Sequence, residues 1–590
     1  MDNNKVITEN NEIANCFNNF FSQIGPTLAN TIQSPHNKSY KDYLTQNISS
    51  VFSFEMVTKD DIFKLINGLK SKSSTGHDGL STIMLKYISK DILDILTHIV
   101  NQSLCTGIFP DSLKVAKITP IFKKENPHIT DNYRPISLLP AISKIFEKVA
   151  YKQVYAYFIE NDLLYDSQYG FRKLHSTELA ALEITDRIST QLDQGKLPLA
   201  IYLDLSKAFD TIDHRILLDK LDYYGIKGTS LTWFKSYLSN RKQYVEYNNT
   251  TSSFADVTTG VPQGSILGPL LFIIYMNDIA HVTDKFHSIL YADDTSLIEP
   301  LCTFNADINR NSSSLSDAIN NELNLITDWL ALNKLSLNAK KTKMMIFHHP
   351  QRNISAIVPK LQINNSNIEC VKEFNFLGIV LDECLTWKSH IQKIAGKIAR
   401  VIGTINRLKR FLPCEILKMI YSALIQPHLN YGILLWGLKA KRIIKLQKWA
   451  LRAITCSKYN AHTDPLFKRL HILKVSDIYN LTALKFYHKY KKDKLPKSFR
   501  DLFKPISINH THHTRHRNTT RFPVPKTVLG KSTIRFTIPE LLKDMPQCII
   551  DKLSTHSLDG FAFYTKNLML SGYKVVCEIR NCYICNNNNS

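Results

Sequence analysis

The alternation of apolar and polar positions predicts a few well-marked elements. Residues 198–206, PLAIYLDLS, read as a mostly apolar strand that ends on an acid, Asp204. Residues 287–298, HSILYADDTSLI, predict strand, tight turn, strand, with Asp293 and Asp294 in the turn. Between them Gly260-Val261-Pro262-Gln263-Gly264-Ser265 is a Gly/Pro loop, and a helix is expected from near Ser265. Upstream, Lys117 to Lys124 reads as a strand with a basic tip. From Ser389 to Phe411, Ile391, Ile394, Ile398, Ile402, Ile405 and Leu408 recur at helical spacing, with Lys393, Lys397, Arg400 and Arg407 on another face. Residues 1–50 are Asn-rich with one amphipathic stretch, Glu12 to Leu28, and residues 51–160 read as helices and short strands. Beyond about residue 440 the pattern weakens into helices and loops, with a polar His/Arg/Pro stretch at 505–530. No period of 20 to 50 residues repeats, which excludes solenoids and propellers.

Composition changes this picture in one respect. Apolar content of 44% and charged content of 21% are ordinary for 590 residues, enough for two to four domains and a large core. The charge is not ordinary: 74 Lys plus Arg against 51 Asp plus Glu leaves +23. Such an excess suits a phosphate-bearing partner, because cationic side chains displace the counterions condensed on nucleic acid. Eleven scattered Cys suggest free intracellular thiols. The start lacks a secretory pattern, and the longest apolar run, Ile266 to Met276, is too short to span a bilayer. Cys577, Cys582 and Cys585 lack the second pair that a zinc site needs. His510, His512, His513 and His516, interleaved with Arg515 and Arg517, read as a basic loop.

The acids carry the chemistry. In-line phosphoryl transfer places charge on the attacking and leaving oxygens, and two divalent ions about 4 Å apart can stabilise both. Mg²⁺ prefers oxygen ligands, so two or three carboxylates on rigid strands suffice. Asp204 at a strand end and Asp293-Asp294 in a hairpin meet that need.

The surrounding residues resemble a known family. Leu203 to Asp210 (LDLSKAFD) looks like the first catalytic motif of reverse transcriptases, and Tyr291-Ala292-Asp293-Asp294 like their acid pair. Residues 260–269 (GVPQGSILGP) resemble the loop and helix between those motifs. Asn132 to Leu138 (NYRPISL) and Gly170-Phe171-Arg172 resemble fingers motifs of the non-LTR, LINE-like class, and Phe376-Leu377-Gly378 resembles the primer-grip turn. Six motifs in family order over about 260 residues make a specific match, closest in wording to the jockey and CR1-like groups.

The resemblance implies an α+β, right-hand polymerase fold. Residues 1–103 would lead into the fingers, 104–378 form fingers and palm, 379–460 a helical thumb, and 461–590 a mostly helical region of unknown role, without an RNase H pattern. It implies RNA-directed DNA synthesis from dNTPs on a primer 3′-hydroxyl, with two Mg²⁺ ions, or Mn²⁺ in their place. Asp204, Asp293 and Asp294 would be catalytic and, with Leu205, would bind metal. Lys123 or Lys124, Arg134 and Arg172 would grip the triphosphate, with Leu205 also against the nucleotide and Phe209 under its sugar as a steric gate. Gln263 and Gly264 would pack on the nascent pair and template. Lys343 would protonate pyrophosphate, with Lys340 and Lys341 as competitors. Tyr291, Phe376, Leu377, Gly378, Lys393, Lys397, Arg400 and Arg407 would face nucleic acid. Only 131 residues precede Asn132, the first of these motifs, too few for the endonuclease domain usual in such elements, so an endonuclease in trans is expected. The expected partners are an RNA template and a DNA primer or target, with no membrane. The expected location is intracellular, in the nucleus for target-primed synthesis. Two rivals stand beside this reading. One is an RNA-dependent RNA polymerase, against which Phe209 argues; the other is a catalytically idle nucleic-acid-binding remnant.

Overall fold

The computed structural model describes residues 7–32, 35, 38–45, 48–123, 125–304, 312–355, 357–503 and 525–574. Lys124, the His510–His516 cluster and Cys577, Cys582 and Cys585 lie outside them.

The fold is α+β. Its strands are β1 Val115–Phe122, β2 Tyr133–Leu138, β3 Pro198–Leu203, β4 Arg241–Tyr247, β5 Thr250–Thr251, β6 Ala255–Val257, β7 His287–Tyr291, β8 Asp294–Pro300, β9 Lys343–Ile346, β10 Gln362–Ile363, β11 Ser366–Asn367, β12 Glu369–Cys370, β13 Glu373–Phe376 and β14 Ile379–Asp382. A central sheet has the order β12-β9-β3-β8-β7, antiparallel except between β12 and β9. A second sheet joins β2, β1, β4 and β5, with β6 also on β4.

Period-two alternation decides how the central sheet is buried. Leu199, Ile201 and Leu203 of β3 face one core with Leu290, Leu297, Met344 and Ile346. Helices Ser143–Glu160, His214–Tyr223, Gly268–Tyr275 and Ser312–Leu332 fill that side. Ala200 and Tyr202 face a second core with Ile289, Ile298 and Met345. Helix Thr177–Asp193, the β13–β14 hairpin and helix Lys388–Leu408 cover it, and Phe374 stacks on Tyr202 with ring centroids 3.9 Å apart. A strand buried on both faces reads as a continuous apolar run, which is why 198–203 shows no polar alternation. Helix Asn10–Thr31 buries Ala14, Phe17 and Phe21 against the second sheet.

Element ends move slightly from the sequence expectation. The apolar strand stops at Leu203, and Asp204 follows it. The helix expected from Ser265 begins at Gly268. Buried Glu147 accepts from the backbone N–H groups of Ile266 and Leu267, and the Ser265 hydroxyl accepts from that of Gly268. These bonds satisfy donors that a helix start would otherwise leave orphaned. Helix Lys388–Leu408 buries Ile391, Ile394, Ile398, Ile402 and Ile405 as its periodicity predicts. The Asp382 carboxylate starts it by accepting from the N–H groups of Cys384, Thr386 and Trp387.

The C-terminal part is fastened to the Thr177–Asp193 helix. Arg535 pairs with buried Asp186 at 2.8 Å, and Asp193 accepts from the N–H groups of Lys526 and Thr527 and from the Thr527 hydroxyl. Among the described residues no helix is long and apolar enough to cross a membrane.

One ion pair lies wholly inside the first core. The Lys220 ammonium, 0% exposed, donates to Asp278 and to the Tyr275 carbonyl, both at 2.6 Å. The Trp329 indole N–H donates to the other Asp278 oxygen at 2.7 Å. Losing one partner leaves an uncompensated buried charge, which costs about 3–5 kcal/mol. Lys220→Met should therefore lower the urea midpoint strongly, and Lys220→Met/Asp278→Leu should recover much of it; equal midpoints for wild type and Lys220→Met would refute this assignment.

Candidate active site

The ladder registers bring the three acids together. The last β3–β8 pair is Leu203 with Thr295, so the next positions along each strand are Asp204 and Asp294. Tyr291 pairs with Asp294 across the β7–β8 hairpin, leaving Ala292 and Asp293 as its two-residue turn. Ala292 takes a left-handed φ of 57° there. The turn rests on Gly170, whose added Cβ would lie 2.3 Å from the Ala292 nitrogen, so no larger residue fits. Gln168 accepts from the N–H groups of both Gly170 and Ala292, at 2.8 and 3.3 Å. Asp204 is fixed through its backbone: its carbonyl accepts from Asn338 N–H at 2.8 Å, and its N–H points to the Thr342 hydroxyl at 3.4 Å.

The electrostatics match three converging carboxylates. Asp294 is exposed at the start of β8, beside half-buried Asp293. Desolvation, followed by the charges of Asp293 and Asp204, pushes its pKa from 3.8 to about 6. Asp293 is also raised, by desolvation first and by Asp204, while Arg134 and Lys123 pull it back. Both cations therefore lie near enough to Asp293 to act on its charge. The donors are all oxygen and carry surplus negative charge, a set suited to hard divalent cations. They are not drawn into a tight cage: among the described residues no group of three or more His, Cys, Asp or Glu is gathered closely enough to hold a metal ion.

Other predicted residues divide. Leu205 is buried, so its backbone alone is open to a ligand. Phe209 is half-buried, stacked on Phe272 at 4.4 Å and edge-on to Phe171 at 6.0 Å. The Gln263 side-chain N–H₂ donates to both carboxylate oxygens of Asp210 at 2.9 Å. The Gln263 carbonyl accepts from Ser137 N–H at 2.9 Å, which ties this loop to β2, the strand that carries Arg134. Gly264 has φ 137°, and a Cβ there would lie 2.4 Å from the Ser137 carbonyl oxygen. Leu377 and Gly378, with φ of 46° and 89°, form the β13–β14 turn, and the Tyr431 hydroxyl donates to the Leu377 carbonyl. Lys393, Lys397, Arg400 and Arg407 are exposed, and Lys393 donates to Asn375 at 3.1 Å. Tyr291 is half-buried beside the hairpin tip.

Three expectations need correction. The Lys343 ammonium is held by Glu369 at 2.6 Å and by the Lys340 carbonyl; the lysine beside the acids is Lys341, 3.7 Å from Asp204. The Arg172 guanidinium donates to the Tyr165 carbonyl at 2.6 Å and is largely desolvated, so in this structure it braces its own loop. Phe376 is a core residue beneath the hairpin turn, tilted against Tyr202. Two supporting residues escaped the sequence reading: Asp210, whose burial raises its pKa to about 6, and Glu147 beneath the 260–267 loop. For Asp210 the signal was its place next to Phe209; for Glu147 there was none.

Comparison with known proteins gives a consistent picture. The family described as reverse transcriptase (RNA-dependent DNA polymerase) matches residues 121–381, an interval that contains all three acids. The chain is similar to a probable RNA-directed DNA polymerase from transposon BS of Drosophila melanogaster, 28% identical over 79% of this chain and 52% of the relative. It is similarly related to the RNA-directed DNA polymerase from mobile element jockey of the same species, 28% identical over 76% of this chain and 49% of the relative. A third relative, a probable RNA-directed DNA polymerase from transposon X-element, is 25% identical over 77% of this chain and 50% of its own length. The chain thus spans about half the length of the curated relatives it matches.

The raised Asp294 pKa sets a pH dependence. Between the ordinary carboxylate range and about pH 6 the folded state binds the extra proton, so metal-free stability falls as pH rises through that window and is flat above it. Asp294→Asn should raise the melting temperature in chelator at neutral pH but not near pH 4. Added Mn²⁺ should stabilise wild type at neutral pH and lose that effect below about pH 6, where protons compete. A Mn²⁺ shift that is independent of pH, or retained in Asp294→Asn, would count against a cation site here.

Proposed function

We propose, from the premise that residues 121–381 are a reverse transcriptase domain, that this chain is the RNA-directed DNA polymerase of a non-LTR retrotransposon, extending a DNA primer on an RNA template with dNTPs. The observation that carries this reading is the meeting of Asp204 with Asp293 and Asp294 at adjacent strand ends, with Arg134 and Lys123 near enough to act on the charge of Asp293. In the right-hand arrangement, residues 104–378 are fingers and palm, 379–460 the thumb, 1–103 an extension into the fingers and 461–590 a helical appendage.

Asp204, Asp293 and Asp294, with the Leu205 carbonyl, would hold two divalent ions, Mg²⁺ by preference, which activate the primer hydroxyl and neutralise the leaving pyrophosphate. Lys123 and Arg134 bind triphosphate oxygens; the planar Arg fork suits that role because it can contact two oxygens together. Lys341, beside Asp204, is the lysine placed to donate a proton to pyrophosphate. Phe209 presents its ring where a ribose 2′-hydroxyl would sit, and its stacking on Phe272 keeps it there. Asp210 holds the Gln263 amide so that this loop stays against the nascent pair. The exposed Lys393, Lys397, Arg400 and Arg407 follow the template–primer backbone, with the Leu377-Gly378 turn at the primer end. The primer is a nicked DNA end, and target-primed extension of it would take place in the nucleus.

Two outcomes are expected. In primer extension on RNA, Asp293→Asn should reduce synthesis at least about 1000-fold while template affinity stays within about twofold, because a metal ligand is lost but not the basic cleft. Retained synthesis would exclude this centre. Phe209→Ala should raise rNTP incorporation relative to dNTP in single-nucleotide assays; an unaltered ratio would assign the ring to packing alone.

A further inference from the structure

Outside the acidic centre lies a basic face with an exposed indole. Helix Lys441–Ile454 buries Ile443, Gln447, Ala450, Leu451, Ala453 and Ile454. Its rotation is locked by Gln447, whose N–H₂ donates to the Tyr421 hydroxyl at 2.9 Å and to the Leu473 carbonyl at 2.8 Å. The oxygen of that amide accepts from Val475 N–H at 3.0 Å. The opposite face carries Lys441, Arg442, Lys445, Lys448, Trp449 and Arg452. At 100° per residue these six fall within an arc of about 120°. Trp449 is 54% exposed, and Tyr459, just beyond the helix, is 89% exposed. Arg452 donates to the Ala461 carbonyl at 2.9 Å and so fixes the loop that carries Tyr459.

Among the described residues no ion pair neutralises this face. No Asp or Glu occurs between Glu415 and Asp464. Among the described residues Lys441, Arg442, Lys445 and Lys448 have no ion-pair partner. A large indole left in water among unpaired cations matches a surface that tracks a phosphate backbone and stacks an unpaired base. Duplex bases are stacked on one another and offer no free ring, so the indole favours a single strand. A lipid surface fits less well. An interfacial helix buries its apolar face in the membrane, whereas here that face is already packed in the protein core.

We propose that the Lys441–Arg452 face, on a helix packed against helix Lys388–Leu408, is a docking site for single-stranded nucleic acid in addition to the Lys393–Arg407 face. Lys441, Lys445 and Lys448 contact phosphates, and Trp449 stacks on a base. This binding does not depend on catalysis and stands whether or not the polymerase reading holds.

The test uses full-length protein without dNTP or metal. Labelled unstructured RNA and DNA oligonucleotides of one sequence, a matching duplex, and phosphatidylserine vesicles are titrated over a range of salt. Lys441→Gln/Lys445→Gln/Lys448→Gln should flatten the slope of log affinity against log salt by about 2 on single strands, near 0.7 for each lost phosphate contact. Trp449→Ala should weaken single-strand binding roughly 5- to 100-fold with the slope unchanged, and Trp449→Phe should restore most of it. Melting temperatures equal to wild type establish that the variants are folded. Loss on single-stranded RNA, DNA or both supports the site, and a difference between the two identifies the strand it prefers. Wild-type single-strand affinity in both variants, loss confined to the duplex, or loss confined to vesicles would each overturn it.

Discussion

Like-charge repulsion among Asp204, Asp293 and Asp294 is the constraint around which this chain is built. Left to themselves, three neighbouring carboxylates would separate, and the pKa values of Asp293 and Asp294 are raised first by burial and then by this repulsion. The chain resists with backbone geometry. Two antiparallel registers set the acids at neighbouring strand ends, the Gly170 segment supports the hairpin tip, and Asn338 bonds to the Asp204 carbonyl. None of these restraints uses the carboxylate groups, so the acids remain available to a ligand.

The sheet beneath them is rigid because it is buried on both faces. Leu199, Ile201 and Leu203 enter one core while Ala200 and Tyr202 enter the other. The second core runs on through the Lys388–Leu408 helix into the C-terminal helices. Asp186–Arg535 and the Asp193 contacts to Lys526 and Thr527 add polar ties across the same junction. Residues 461–503 and 525–574 are therefore joined to the back of the central sheet, and their packing helps hold the strand that delivers Asp204.

The cations are arranged by contrast in separate groups. Lys123 and Arg134 lie near Asp293, Lys393 to Arg407 line one helix, and Lys441 to Arg452 line another. These faces hold part of the excess behind the net charge of +23. Each face can meet phosphate at a different place along a nucleic acid.

What the sequence determined by itself is the local part. The apolar run ending at Asp204, the hairpin with Asp293 at its tip and the isoleucine stripe from Ile391 to Ile405 were legible because strand and helix periodicity are short-range properties. The order of motifs made the family recognisable for the same reason, since each motif is a contiguous turn or strand end. Tertiary structure alone decided which similar side chains do which work. Lys341, not Lys343, stands by Asp204 because Glu369 holds its neighbour. Arg172 is occupied by the Tyr165 carbonyl, Phe376 is buried, and Glu147 supports a loop more than a hundred residues away. Trp449 is exposed because Gln447 locks its helix against residues brought near only by folding. Burial and partner choice depend on contacts between segments distant in the chain, and no periodicity within one segment records them.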